Sequence, residues 1–558
     1  MPFEPPTPFQ TVAPAIVALA LALPIASPAQ AQAGATQPGR VERDRQPVPE
    51  PFKRDGVRID APRFPEQVPP GAQASRFVLG EVQVSGNQAL PTLALSLVWT
   101  PLLGKSITLA QAFGIAFDIS ARYRAAGFIL SQAIVPAQEL RTDGPAVLRI
   151  EVLEGFIDQV VFSGNAPVPA LQAHLERVRQ ERPLRLQTLE RGLLLVNELP
   201  GVSAQANIRP GASPNASELE VVAQRRRTDY SLSAHNRSTA SQGRVRYEAS
   251  AEVHGALADY DRHNLRWVTS ASKRLNLLAY GGEWPLGGDG LKLQLGASVS
   301  KSEPSTDALA SHIDTRSNNY SLGLAYPVLR SRQANLGLRS TFNAYDNHAD
   351  GIGGRLSQDR VRALRLGVTG DRSDGWGGIS LLDLEWSKGL SGLGADREGD
   401  PGVTANPQFS RFNVYVARLQ NLGGRWSALL AGTAQRSRDR LPTAEQLGLG
   451  GETFLRAFDP SEVIGEEGAA AKLELRCDVA AAGLAGTLYA YRDIGHVTRR
   501  QNGGASLSNA LSSTGIGIRM SGPHRTRGYL ELAKPGSKDV ASEGNRKPRV
   551  FAGGGVDF

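Results

Sequence analysis

The residue types that bind metals or carry out catalysis occur in this sequence, but their spacing assembles no site. Zinc requires His or Cys ligands at short, regular spacings. Six of the eight histidines, those that fall in the C-terminal region before residue 500, are instead scattered: His235, His254, His263, His312, His348 and His496. The acidic segments 391–401 and 461–467 lack the ligand order of a calcium loop, and no Ser/His/Asp or Cys/His arrangement occurs in residues 77–227. We therefore expect no catalytic activity, no metal site and no cofactor.

The composition excludes several classes of protein. Hydrophobic residues make up 41% and charged residues 21% of the 558 positions, which is too polar for a bundle of transmembrane helices and too apolar for a disordered chain. The single cysteine, Cys477, excludes a disulfide framework. The net charge is +8, but the basic residues are dispersed and their densest run is only residues 225–227. No nucleic-acid partner is therefore expected.

Residues 1–33 have the form of a signal peptide. Their apolar run, residues 11–26, is shorter than the roughly 20 residues that span a bilayer, and it ends in the small-residue stretch ASPAQAQAG. Cleavage after Ala31 and cleavage after Ala33 both fit this stretch. The first 39 residues lack Lys and Arg, which leaves the true start codon open. A buried apolar helix is the alternative, and three prolines disfavour it: Pro14, Pro24 and Pro28.

A proline-rich linker, residues 34–75, is predicted to precede two small α/β modules, residues 76–154 and 155–227. Each module reads as strand, helix, helix, strand, strand. The first strand ends in a Gly-Asn turn at 86–87 and again at 164–165, so the unit repeats after about 80 residues. A small sheet of this kind has an open edge, which either is protected or recruits another strand. Purely structural spacers are the alternative.

Residues 228–558 alternate apolar and polar side chains in segments of about ten residues, as strands with one apolar face do. In ISLLDLEWSK, for example, Leu382, Leu384 and Trp386 alternate with Asp383 and Glu385. At ~20 residues for a strand and its connection, this region provides roughly 16 strands. A soluble sandwich alternates in the same way. Export, polar loops and the terminal Phe558 instead favour an all-β transmembrane barrel of about 16 antiparallel strands.

The two modules resemble the POTRA domains of a known transporter family. The first carries Phe77-x-Leu79-x-x-Val82-x-Val84-x-Gly86-Asn87, then Leu103-Gly104-Lys105, Tyr123–Phe128, Pro136-x-Gln138 and Glu154-Gly155. The second carries LERGLLL at 189–195 and LPGV at 199–202. Their order and spacing are similar to those of the two-partner-secretion outer-membrane transporters, the haemolysin activator and haemagglutinin transporter type.

The resemblance continues in the C-terminal region and implies a pair of interacting residues. Leu455-Arg456-Ala457-Phe458, after Leu449-Gly450-Gly451, resembles the VRGY/F tip of the family's long sixth loop, which folds back into the pore. Tyr491-x-Asp493-x-Gly495 resembles the wall motif that receives the loop arginine. The implied Arg456–Asp493 contact would be a charge-assisted pair. The alternative is a solvated arginine and an unrelated lumen aspartate.

The loop tip departs from the family pattern at two positions, since Leu455 replaces Val and Ala457 replaces Gly. Only glycine adopts positive φ freely, so the change from Gly to Ala leaves the backbone conformation of the tip open.

The resemblance implies an outer-membrane transporter of a Gram-negative bacterium whose periplasmic POTRA domains recognise an unfolded exoprotein that the barrel passes to the cell surface. The implied partners are a secreted exoprotein with an N-terminal two-partner-secretion domain, outer-membrane lipid and, during biogenesis, the barrel-assembly machinery and periplasmic chaperones.

Two points stay open in this interpretation. The alternative function is a barrel-assembly factor that inserts other outer-membrane proteins, which also has POTRA domains and the loop motif. The family also has a plug helix inside the pore. Here residues 34–75 offer only the polar stretch RVERDRQ before prolines interrupt, so a linker or a vestigial plug segment is expected instead.

Overall fold

The computed structural model describes residues 50–51, 59–60, 67–304, 313–351, 353–398, 400, 403, 405–481, 484–500 and 506–558. The predicted signal peptide lies outside these residues. Among the helices within them, none is long and apolar enough to cross a bilayer.

The first module packs two helices on a four-stranded sheet of order β3-β2-β5-β4. Alternate residues of β5 are buried, as the period-two pattern predicts. The longer helix starts at a capping box, in which Thr108 and Gln111 each bond the other's backbone N–H. After a two-residue strand, β1 (Ile59–Asp60), the elements are β2 (Arg76–Ser85), α1 (Thr92–Ser96), β3 (Ser106–Thr108), α2 (Leu109–Ala125), β4 (Gln132–Ile134) and β5 (Pro145–Leu153).

The second module repeats this plan with the sheet order β1-β7-β8-β6. Its core consists mainly of leucines from both helices and valines and alanines from the sheet. The short strand β1 comes from the linker region and pairs in parallel with β7, Ile59 with Ala206 and Asp60 with Asn207. The elements are β6 (Phe156–Gly164), α3 (Val168–Gln180), α4 (Leu186–Asn197), β7 (Val202–Pro210) and β8 (Ala216–Arg225).

The rest of the chain forms a closed barrel of sixteen antiparallel strands, which confirms the predicted fold class. Two further short strands, β20 (Leu447–Leu449) and β21 (Val463–Gly465), pair with each other inside one loop. The barrel strands are β9 (Thr228–His235), β10 (Arg246–His254), β11 (Arg262–Ser270), β12 (Leu275–Leu286), β13 (Leu291–Ser302), β14 (Asp314–Arg330), β15 (Ala334–Gly351), β16 (Gly354–Ser373), β17 (Gly378–Gly389), β18 (Ser410–Gly423), β19 (Trp426–Ser437), β22 (Glu467–Ala481), β23 (Leu484–Arg500), β24 (Ser506–Ser521), β25 (Thr526–Pro535) and β26 (Arg549–Asp557).

The outer wall of the barrel is apolar and the inner wall is charged. Large hydrophobic side chains point outward and are exposed on every side of the barrel, among them Leu295, Leu382, Trp386, Phe412 and Val416. The alternate positions carry the polar side chains that face the lumen, as the sequence alternation predicts. Closure of the barrel lets neighbouring strands satisfy each other's backbone hydrogen bonds without water, and the apolar belt matches the hydrocarbon. A bilayer requires both.

The barrel closes at a short seam between its first and last strands. Only five residue pairs join β9 and β26, from Ser231–Asp557 to His235–Gly553. The side chain of Asn236 extends the seam, because it donates to Val550 O and accepts from Ala552 N–H. Phe558 N–H donates to Tyr230 O beyond the other end. An even number of strands places both ends of the barrel chain at one rim, here called the module rim.

The second module packs directly on the module rim. Tyr260, from the turn between β10 and β11, is fully buried in the module's core, and its hydroxyl donates to Pro167 O. Glu190 on α4 pairs with Arg332 in the turn between β14 and β15, at 2.6 Å. The barrel opening therefore lies next to this module.

Candidate functional site

The sixth connection at the rim away from the modules, residues 438–466, folds back into the lumen and is here called loop 6. The pair β20–β21 forms its base, and the residues between them form its tip. Gly450 has φ +120°, and a Cβ there would lie 2.1 Å from Asp459 O. Only glycine fits this close approach of two backbone segments, which explains the Gly450-Gly451 pair ahead of the tip.

The tip residue Arg456 is 2% exposed and lies against the inner wall. Its Nε and Nη2 donate to the two carboxylate oxygens of Asp493, at 3.1 and 3.0 Å, and its backbone N–H donates to the same carboxylate at 3.0 Å. Ser513 adds a fourth bond to Asp493 at 3.2 Å. The structure thus brings together the two residues that the motif resemblance pairs, in bidentate geometry.

Two further wall residues hold Arg456, and one of them was not anticipated from the sequence. Its guanidinium lies 3.4 Å from the ring centroid of Tyr491, and its Nη1 donates to Glu474, which is fully buried. Glu474 also accepts from Arg519 and Arg476, both at 2.8 Å. The alternation of apolar and charged residues in 471–476 places Glu474 on the lumen face. The sequence could therefore predict the orientation of its side chain but not its partner.

The other tip residues are buried, and the unusual backbone lies at Leu455. Leu455 has φ +58°, a conformation that is uncommon for a residue with a side chain, and its side chain is fully buried. Ala457 is not among the described residues with positive φ, so alanine fits there in place of glycine. Phe458 is 1% exposed, and its N–H closes the turn by donating to Leu455 O at 2.9 Å.

Gly495 lets the base of loop 6 lie flat on the wall. A Cβ at this position would lie 2.9 Å from both Ala470 Cβ and Leu449 Cδ1, which is closer than side chains pack.

We therefore expect Gly495→Val to displace β20 and to destabilise the docked loop by about 1–3 kcal/mol, the usual cost of overpacking. Faster amide hydrogen exchange in residues 447–449, with an unchanged barrel circular dichroism spectrum, would show this. Gly281→Val is the control, because a Cβ at Gly281 would have open space around it. Gly517→Val is unsuitable, because a Cβ at Gly517 would also be crowded by its neighbours. Exchange that is as slow in Gly495→Val as in Gly281→Val would contradict the prediction.

A second anchor of loop 6 has the opposite charge to the first. Glu445 is 1% exposed and accepts from Arg365 Nη2 at 2.6 Å and Arg411 Nη1 at 2.5 Å. Tyr345 donates to the same carboxylate at 3.1 Å. A loop carboxylate thus binds wall arginines on β16 and β18, whereas the loop arginine binds wall carboxylates on β22 and β23. Nothing in the sequence motifs indicated Glu445.

Loop 6 also bridges the two sides of the seam. Asp459 is buried and pairs with Arg244, which precedes β10, at 3.3 Å and with Arg549, the first residue of β26. Arg549 donates to Ala457 O as well, at 2.8 Å. From the other side, Arg237 donates to Arg456 O at 3.2 Å. The tip therefore contacts both strand ends that meet at the seam.

Near the outer end of the tip, Glu462 couples loop 6 to the last loop of the barrel. Its carboxylate accepts from Ala541 N–H at 2.6 Å. Burial, together with the neighbouring Asp459 carboxylate, raises the pKa of Glu462 from its ordinary value of 4.5 to about 7.

Because this pKa is raised in the docked conformation, docking is most favourable below about pH 4.5 and is weakened as the pH rises through about 7. We expect amide exchange in residues 536–548, corrected for intrinsic rates, to be faster at pH 8 than at pH 5.5. Glu462→Gln should remove this difference. A pH dependence that persists in the variant would assign the effect to another group.

Loop 6 leaves part of the lumen open. A cavity of about 1230 Å³ lies between the loop and the barrel wall, and most of its lining residues are polar. Glu50, from the segment ahead of the modules, lies in this cavity and pairs with Lys472 Nζ at 3.2 Å and Arg476 Nη2 at 3.1 Å. Part of the predicted linker is therefore inside the barrel.

Within the described residues, no group of three or more His, Cys, Asp or Glu side chains has the geometry to hold a metal ion. The charged clusters of the lumen pair arginines with carboxylates, so they bind and position the loop.

Comparison with known families agrees with this architecture. Residues 215–520 match the family described as haemolysin secretion/activation protein ShlB/FhaC/HecB, and residues 77–155 match the POTRA domain of ShlB type. The chain belongs to this family. The family match covers more than half of the sequence, and it confirms the resemblance to the two-partner-secretion transporters and the POTRA identity of the first module.

Individual members of the family are similar to this chain over most of its length. The outer membrane transporter CdiB of Dickeya dadantii is 23% identical over 418 residues, 72% of this chain and 73% of that protein. The heme/hemopexin transporter protein HuxB of Haemophilus influenzae is 22% identical over 411 residues, 71% of each chain. The solved structure of CdiB from Escherichia coli shares the fold, with a TM-score of 0.73 and 20% identity over 88% of this chain and 92% of that one.

Proposed function

We propose that this protein is an outer-membrane transporter that takes an unfolded exoprotein from the periplasm and passes it through its barrel to the cell surface. Family membership supports this function. The observation that carries it is loop 6, which fills much of the lumen yet is held there by ion pairs and contacts of its own chain. Release of the loop base, with the tip still held on the wall, would extend the cavity beside loop 6 into a path for an extended chain.

The POTRA domains lie on the periplasmic side in this proposal, next to the barrel opening. The partner is a secreted exoprotein with an N-terminal secretion domain. Outer-membrane lipid surrounds the apolar belt, and the barrel-assembly machinery and periplasmic chaperones act during biogenesis. No chemical step is required of the protein, since folding of the cargo outside drives its transport.

The second POTRA domain offers an edge for cargo capture. Strand β7 pairs with β8 on one side, and on its other side, among the residues that the structure describes, it pairs with Ile59 and Asp60 alone. This short parallel pairing shows that the edge of β7 accepts an extended segment through main-chain bonds. Because such pairing needs few particular side chains, unfolded cargo of varied sequence can displace residues 59–60.

Photo-crosslinking in the full-length protein tests both parts of the proposal. A crosslinker at Gln205, exposed on β7, is expected to capture the cognate exoprotein during secretion, whereas one at Gln172, exposed on α3, is the matched control. Equal capture at the two positions would place the recognition surface elsewhere. Cargo that reaches the medium in a strain lacking this protein would overturn the transport function.

A barrel-assembly factor is the second function that the fold permits, since the solved structure of BamA from Haemophilus ducreyi shares the fold with a TM-score of 0.51. The two functions differ in what their loss affects. Deleting the gene is expected to leave the amounts of other outer-membrane barrels unchanged, while the exoprotein stays in the cell. Depletion of other barrels would favour assembly.

We further propose that Glu50 and Pro51 act as part of a plug, with Glu50 held by Lys472 and Arg476. Glu50→Gln should weaken both ion pairs, and we expect it to raise the ion conductance of the purified protein in planar bilayers at least twofold at low salt, where such pairs are strongest. Glu81→Gln, an exposed position on the first POTRA domain, is the control. Equal conductance of the two variants would contradict the plug.

A further inference from the structure

A groove in the outer wall of the barrel lies apart from the lumen and loop 6. It has a volume of about 800 Å³ and crosses the neighbouring strands from β15 to β22. Its floor consists of residues with little or no side chain, and its sides are aliphatic. The floor residues are Ala334, Gly370, Gly432 and Ala471, and the side residues are Leu382, Val416 and Leu430.

Packing of the barrel does not require such small residues at the floor of the groove. A Cβ at Gly370 would lie 3.4 Å from Asn335 O and 3.5 Å from Leu336 Cδ1, and one at Gly432 would lie 3.5 Å from Ala470 O. These are ordinary contact distances, so larger side chains would fit, as they do at most outward positions of the same strands. The groove is therefore a depression that an external apolar chain can fill.

The end of the groove near the module rim is polar and positively charged. Arg418 donates to Asp374 at 2.7 Å and to Ser380 at 2.9 Å. Arg372, on the same face, is exposed, and among the described residues no carboxylate lies within ion-pair distance of its guanidinium. Asp371 also lines the groove, but it alternates with Gly370 and Arg372 and its carboxylate accepts from Asn335 Nδ2 on the lumen side. On the outer face two guanidiniums thus face the single carboxylate of Asp374, which leaves a net positive charge at this end.

Exposed aromatic side chains indicate the height of this end relative to the bilayer. Trp376, in the turn that follows β16, is 86% exposed, and Trp426, at the start of β19, is 50% exposed. Tryptophan is enriched at the boundary between acyl chains and headgroups. Arg372, the second-last residue of β16, lies just inside this boundary, from which its long side chain can extend to the headgroups. The aliphatic part of the groove lies deeper, among the acyl chains.

We propose that this groove is a binding site for an anionic phospholipid of the leaflet on the module side. One acyl chain lies along Gly370 and Gly432, and the phosphate contacts Arg372, whose planar guanidinium suits a phosphate group. The net positive charge selects a headgroup with net negative charge over a zwitterionic one.

Native mass spectrometry of the full-length protein in detergent tests this site with two lipids of identical acyl chains, phosphatidylglycerol and phosphatidylcholine. One phosphatidylglycerol is expected to be retained in preference to phosphatidylcholine. Arg372→Gln and Gly432→Leu should each weaken its binding about tenfold, the first by removing a charge-assisted bond and the second by filling the groove. Arg425→Gln is the matched control, an exposed arginine at the same rim that does not line the groove.

Each other result would overturn the proposal. Equal binding of the two lipids would exclude selection by charge. If Arg372→Gln loses phosphatidylglycerol binding and Gly432→Leu does not, the lipid binds to a charged rim and not to the groove. If Arg425→Gln loses as much binding as Arg372→Gln, the lipid is attracted to basic residues in general. Unchanged binding in both groove variants would remove the site altogether.

Discussion

Replacing Arg456 with alanine is expected to abolish most secretion of the cargo while leaving a folded barrel. The substitution leaves the fully buried Asp493 without its guanidinium, whereas Glu474 keeps Arg519 and Arg476. Breaking a buried ion pair by removing one member costs about 3–5 kcal/mol, so the tip should leave the wall and obstruct the open part of the lumen. The measurement is the amount of cargo in the medium divided by the amount of folded barrel in the membrane.

A double-mutant comparison shows whether the tip and the wall act as one unit. Asp493→Ala should impair secretion as well, although Glu474 can still hold Arg456. The double variant should be little worse than Arg456→Ala alone, because the second change has no partner left to remove. Ala457→Gly should be tolerated, at an entropy cost of up to about 1 kcal/mol.

Arg266→Ala is the control for this comparison, since Arg266 lines the lumen and pairs with Glu248 at 3.9 Å, away from loop 6. Additive losses in Arg456→Ala and Asp493→Ala would mean that the two residues act independently. Secretion at the wild-type level by Arg456→Ala would remove the loop mechanism.

The second large effect is expected at Glu445. Glu445→Gln keeps the shape of the side chain but leaves the guanidiniums of Arg365 and Arg411 without their shared carboxylate. The other nearby carboxylate, Glu385, remains within 3.0 Å of Arg411, so we expect a loss of about 2–4 kcal/mol of docking free energy. The base of loop 6 should then exchange its amide hydrogens faster, and the ion conductance should rise.

Glu452→Gln is the matched control for Glu445→Gln, because Glu452 is an exposed carboxylate on the same loop. A similar increase in conductance for both variants would show that any change of loop charge opens the pore. No increase for Glu445→Gln would show that the Glu445 ion pairs do not hold the loop closed.

The sequence predicted the elements of the fold well because each leaves a local pattern. Period-two alternation in segments such as ISLLDLEWSK reflects a strand with one face in lipid, and the Gly-Asn turns at 86–87 and 164–165 mark the module repeats. The closed sixteen-stranded barrel and the two modules follow from such patterns and from the family resemblance. The pairing of Arg456 with Asp493 was predicted only from the resemblance of their two motifs to those of the family.

The contacts that no local pattern encodes could not be predicted. Glu474 is one of several lumen-facing charged residues in its strand, and only the register of β22 against β23 places it beside the loop. Glu445 meets Arg365 because a long loop crosses the lumen, which depends on the whole barrel. The pairing of residues 59–60 with β7 depends on a main-chain edge, for which side-chain patterns carry no information.

The short seam between β9 and β26 also determines the order in which the protein can be assembled. The bond from Asn236 to Val550 joins residues 314 positions apart, so the seam has the most distant partners in the barrel. Such contacts form late because the chain must first lose the entropy of a long closed loop. We infer that the ladder from β9 through β26 forms first as an open sheet whose two unpaired edges are β9 and β26, and that the barrel closes only after β26 has joined the sheet.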